Sequence, residues 1–94
     1  MSQSLAQIYV HFVFSTKHRQ PFLAHRKLRE ECHAYLAGTC QARGSPSLLV
    51  GGVADHVHIL CSLSREESIA VLIRELKRET SKAMKEKSSA LRNF

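Results

Sequence analysis

The chain has 94 residues, a length that suits a single domain. With 44% hydrophobic and 23% charged residues and only 4 Gly and 2 Pro, it is neither collagen-like nor a low-complexity polymer. Its 14 Lys plus Arg against 8 Asp plus Glu leave a formal charge of +6, which favours a polyanionic partner such as nucleic acid.

Residues 5–16 are predicted as the first strand. Ile8, Val10, Phe12 and Phe14 point to one face; Tyr9, His11, Val13 and Ser15 point to the other. Pro21 cannot donate a ladder hydrogen bond, so residues 17–21 end the strand. Residues 17–29 then carry Lys17, Arg19, Arg26, Lys27 and Arg29 with no acidic residue, a cationic segment suited to phosphate contact. A helix is expected over 24–36. Leu28, Cys32, Tyr35 and Leu36 form its apolar stripe and Gly38 its C-terminal cap, with a loop over 41–46. Tyr35 is expected in the core.

Residues 47–53 read as a second strand, Ala54 and Asp55 as a tight turn, and 56–63 as a third strand. In that strand Val57, Ile59, Cys61 and Leu63 face the core, while His56, His58, Leu60 and Ser62 face outward. Ser64 and Glu67 fit a capping box for the last helix, with Ile69, Leu72, Ile73, Leu76, Thr80, Ala83 and Met84 at helical spacing. The tail over 87–94 shows no period. The order β-α-β-β-α is most of a ferredoxin-like α+β domain, with two helices covering one face of the sheet. In that arrangement the first and third strands are expected to be parallel neighbours, so that His11 shares an open sheet face with His56 and His58.

No apolar run approaches the roughly 18 residues that cross a bilayer. Residues 1–7 do not resemble a secretory signal. Three cysteines without a CxxC pair, Cys32, Cys40 and Cys61, read as reduced thiols in the cytoplasm. Cys61 is expected to be a buried small hydrophobe.

The strongest chemical signal is Asp55-His56-Val57-His58. Residues two apart on a strand point the same way, so the two imidazoles can ligate one divalent cation, with a third ligand from elsewhere. Their softness suits Mn²⁺, Zn²⁺ or Ni²⁺, and Mg²⁺ where substrate phosphate adds oxygens. Two ordinary outward-facing histidines in a histidine-rich chain give the same pattern. No GxSxG elbow, P-loop or GxGxxG is present.

Three segments together resemble a known family: Tyr9-Val-His-Phe-Val-Phe-Ser-Thr-Lys17-His-Arg19, Gly52-Val-Ala-Asp-His56-Val-His58-Ile-Leu, and Ser68-Ile-Ala-Val-Leu-Ile-Arg-Glu-Leu-Lys77-Arg-Glu-Thr80-Ser81. They are similar to the single-tyrosine HUH transposases of small insertion sequences, including the REP-associated tyrosine transposases. HUH stands for histidine, hydrophobic, histidine. The resemblance covers nearly the whole chain. It implies a ferredoxin-like, RRM-like fold, a homodimer, and binding of single-stranded DNA with hairpin ends. It also implies Mg²⁺ or Mn²⁺ held by His56 and His58. A tyrosine then cuts the DNA, leaving a 5′-phosphotyrosine and a free 3′-hydroxyl. Lys17, Arg19, Arg26 and Lys27 are the expected DNA-backbone contacts, and His11 a possible auxiliary residue on the histidine face.

The family's tyrosine lies on a helix after the final strand, in a context that also supplies the third metal ligand. Neither Tyr9 nor Tyr35 matches it, and Tyr9 belongs to the first strand. The expectation is therefore one HUH-type domain over 1–94, incomplete at its C-terminus and unable to cleave DNA alone. A non-catalytic single-stranded DNA or RNA binder, or a regulatory remnant pairing with a longer relative, is the alternative. Tyr9, the sole aromatic expected on the open face, argues against base stacking as the main mode of binding.

Overall fold

A computed structural model describes residues 7–87. The strands are β1 (Tyr9–Ser15), β2 (Ser47–Val53) and β3 (His56–Ser62), and the helices α1 (Arg26–Ala42) and α2 (Ile69–Lys87). The sheet order is β1-β3-β2, and β3 runs antiparallel to both neighbours. The expected parallel pairing of the first and third strands is thus corrected. The connection through α1 returns the chain to lay β2 in the same direction as β1, with one strand-wide gap between them. The tight turn at Ala54 and Asp55 reverses the chain into that gap, so β3 must oppose both.

Alternation along the strands sets the two faces. Phe12, Val57, Ile59 and Cys61 turn inward to meet Leu23, then Cys32, Leu36 and Cys40 of α1 and Leu72, Leu76 and Met84 of α2. Both helices cover that one face. Cys61 is fully buried as expected, and burial pushes the Cys32 and Cys40 thiols up to about 11, where they are unreactive. Ile8, expected on the same strand face as Phe12 and Phe14, lies before β1 and is 57% exposed. Residues 5–6 of the expected first strand, and 88–94 of the expected tail, lie outside the described residues.

Two helix ends differ from expectation. The first helix continues past Gly38 because Cys40 extends the Cys32–Leu36 stripe by another turn and is wholly buried. It ends in a Schellman motif: Ser45 N–H donates to Cys40 O at 2.8 Å, Gly44 N–H donates to Gln41 O at 3.0 Å, and Gly44 takes φ +75°. Tyr35 falls beside the stripe and is exposed, not core. The last helix starts at Ile69. Ser68 Oγ accepts from Val71 N–H at 3.1 Å and is the N-cap. Ser64 instead closes a local turn by accepting from Glu66 N–H, while the Glu67 carboxylate is drawn to Arg43 Nε at 2.8 Å. The expected capping box at Ser64 and Glu67 is thus corrected: the helix begins one turn later, with Ser68 as its cap.

Candidate metal and nucleic-acid site

The uncovered sheet face carries the histidines. The register sets Ser15 opposite His56, Val13 opposite His58 and His11 opposite Leu60, so His11 lies diagonally across from His58. The His56 and His58 ring centroids are 5.1 Å apart at 73°, and His11 stacks on His58 at 5.4 Å with 24° between the planes. All three expected histidines are thus brought together on one face.

Each member of the pair has its Nδ1 engaged. His56 Nδ1 is 2.9 Å from Asp55 Oδ1, and His58 Nδ1 is 3.3 Å from His11 Nε2. Asp55 is held in turn. Its backbone carbonyl accepts from Thr16 N–H at 2.9 Å, and its Oδ2 lies 3.6 Å from Arg19 Nε. The hydrogen bond to His56 keeps the Asp55 carboxyl below its ordinary range; burial opposes it, and the nearby charge of Arg19 assists. The sequence places Asp55 in the Asp55-His56-Val57-His58 motif without giving it a role beyond the turn. Its position directly before the first histidine was the signal that could have marked it.

Close approach of the backbones makes this arrangement possible. Gly52 in β2 pairs with Val57 at φ +154°, and a Cβ there would collide with His56 O and lie 2.9 Å from Val57 Cα. Only glycine lets the hairpin close so tightly beside the first histidine.

The cationic segment divides in two. Lys17, His18 and Arg19 form a 3₁₀ turn at the histidine end of β1. His18 and Arg19 have φ of 56° and 55°, sparsely populated values for residues with a side chain. The turn is held there by Arg19 N–H to Thr16 O at 2.9 Å and Thr16 Oγ1 to Gln20 O at 2.5 Å. Strain of this kind concentrates at functional segments. Lys17 has no ion pair among the described residues. Arg26 and Lys27 instead open α1 in the helical layer, where Arg26 pairs with Glu30 at 3.0 Å. Neither is linked to the histidines by a hydrogen bond or ion pair among the described residues.

As a donor set, two adjacent imidazoles fit a divalent cation whose other positions are filled by oxygen ligands such as phosphate or water. Among the described residues no group of three or more His, Cys, Asp or Glu is arranged to hold a metal on its own. Tyr9 faces Ser62, four residues along β3 from His58, or roughly 13 Å at about 3.3 Å per residue.

Residues 4–94 match the family model described as IS200-like transposase. The structure is similar to the crystal structure of a candidate transposase from Deinococcus radiodurans R1, with a TM-score of 0.81 and 18% sequence identity. The match covers 89% of this chain and 66% of that one, so the chain spans just under two thirds of its neighbour's length. At that identity the likeness is one of fold. No curated protein matches the chain.

Proposed function

This chain belongs to the IS200-like transposase family, and from that premise we propose that it supplies the metal-holding and DNA-gripping part of a site for single-strand DNA cleavage and joining. The observation carrying the proposal is the placement of His56 and His58 side by side on an open sheet face, with the Lys17–Arg19 turn at the same end. His56 and His58 hold Mg²⁺ or Mn²⁺, with nitrogen softness favouring Mn²⁺. The cation, when bound, neutralises charge on the scissile phosphate.

Lys17 and Arg19 grip the DNA backbone, and Arg26 and Lys27 attract it at longer range from the helical layer. Arg19 reaches phosphate while keeping Asp55 as a neighbour, since its side chain is 70% exposed. The attacking group is a tyrosine that leaves a 5′-phosphotyrosine and a free 3′-hydroxyl. Tyr9 is too far along the strand from His58 to serve, and Tyr35 is on α1, across the sheet from the histidines. The substrate is single-stranded DNA with hairpin ends, met in the cytoplasm. β1 and β2 each leave one edge unpaired among the described residues, which suits a homodimer joined at sheet edges. No helix among the described residues is long and apolar enough to cross a membrane.

Fluorescence anisotropy with a hairpin-bearing single-stranded oligonucleotide tests the proposal. Mn²⁺ is expected to tighten binding. Replacing Lys17 and Arg19 together by alanine is expected to weaken it across sequences and to lower the slope of log K against log salt by about 1.4, at about 0.7 per lost phosphate contact on single strands. A slope unchanged in that variant, or no Mn²⁺ effect in the wild type, would overturn it.

A further inference from the structure

We propose that Asp55 and His11 are positioning residues that fix the proton of each imidazole on Nδ1, so that His56 and His58 both present Nε2 to one cation. The inference rests on the metal reading above and goes beyond it by assigning two further residues of the site.

The proton bookkeeping follows from the two short contacts. A carboxylate only accepts, so at 2.9 Å from Asp55 Oδ1 the Nδ1 of His56 must carry the hydrogen. The lone pair of a neutral His56 is then on Nε2. The second contact joins two imidazoles, His58 Nδ1 and His11 Nε2 at 3.3 Å, and one of them must donate. Donation by His11 would occupy the Nδ1 lone pair of His58 and leave the proton of a neutral His58 on Nε2, with no atom free for a cation. Donation by His58 frees its Nε2 and places the proton of His11 on Nδ1. Only the second arrangement gives the pair two nitrogen donors.

The two partners are themselves restrained. Asp55 is pinned by Thr16 N–H on its backbone carbonyl and by Arg19 on its other carboxylate oxygen. His11 is stacked on the His58 ring, 24° from parallel. The partners come from different elements, the β2–β3 turn and β1, yet each meets the Nδ1 of one histidine. Hydrogen bonding of the non-ligating nitrogen orients metal-binding histidines in general, and its loss typically weakens metal affinity about 10–100-fold.

Two readouts on the metal-free and Mn²⁺-titrated chain decide the matter. Long-range ¹H–¹⁵N spectra without metal should show His56 and His58 as Nδ1–H tautomers. Titration calorimetry should show Mn²⁺ affinity falling about 10–100-fold in Asp55→Ala and in His11→Ala, with the Tm little changed. Asp55→Asn and His11→Gln keep an acceptor oxygen and should recover most of the affinity and the tautomer. An Nε2–H tautomer at either histidine of the wild type, or full Mn²⁺ affinity in both alanine variants, overturns this inference while leaving the metal reading standing. A wild-type chain with both Nδ1–H tautomers and no Mn²⁺ binding overturns the metal reading instead.

Discussion

Replacing His56 and His58 together by alanine is expected to reduce Mn²⁺ binding below detection by titration calorimetry, and with it the Mn²⁺-dependent gain in DNA affinity. In the proposed site the pair supplies both nitrogen donors, and among the described residues no group of three or more His, Cys, Asp or Glu is arranged to hold a metal in its place. Water and phosphate alone would bind a cation far less tightly without an anchored protein donor. Stability should hardly move. Both rings lie on the open face, only partly covered, and away from the core residues. Substitutions at such positions usually stay within about ±0.5 kcal/mol. An intact calorimetric signal in a folded double variant would place the metal elsewhere.

The largest effect on stability is expected at Gly52. A methyl group there meets the carbonyl oxygen of His56 and sits 2.9 Å from Val57 Cα, both of them backbone, so no flexible side chain can yield. Its φ of +154° adds conformational strain for any residue with a Cβ. The hairpin would have to open at the position where it presents the first histidine. A loss of about 3 kcal/mol for Gly52→Ala is expected, read as a lower urea midpoint at unchanged m. Mn²⁺ affinity should fall as well, because β3 moves with the hairpin. The same substitution at Gly51 is the control. A Cβ there meets nothing within 4 Å, and Gly51→Ala should be close to neutral. Equal stability of the two variants would contradict this account of the hairpin.

Much of the fold was legible because short-range patterns decide it. The bounds of β2 and the outward placement of His56 and His58 match the sequence pattern, since strand alternation depends only on neighbouring residues. The β-α-β-β-α order followed from periodicity and turn residues in the same way. What escaped depends on contacts across the chain. The place of β3 between β1 and β2, which makes it antiparallel to both, is set by the gap that α1 leaves in the sheet. The extension of α1 to Ala42 is driven by burial of Cys40, and the start of α2 by the pull of Arg43 on Glu67.

The site shows the same division. His-x-His is a local pattern, and the location of Lys17 and Arg19 at the end of β1 follows from chain order. The hydrogen bond from His56 to Asp55 and the approach of His11 to His58 are different in kind. One depends on a turn anchored to Thr16, and the other joins residues 47 positions apart. Nor could composition foretell two consecutive left-handed residues at His18 and Arg19: histidine visits that region more readily than most side chains, but arginine does not.

His56 and His58 are proposed to hold one divalent cation on the open sheet face. Pulsed electron paramagnetic resonance of the Mn²⁺-loaded protein, with ¹⁵N incorporated in histidine, tests it most directly. Couplings from two directly bound imidazole nitrogens are expected, both lost in the His56→Ala, His58→Ala variant. Mn²⁺ bound with no histidine coupling, or with couplings that survive in that variant, would contradict it.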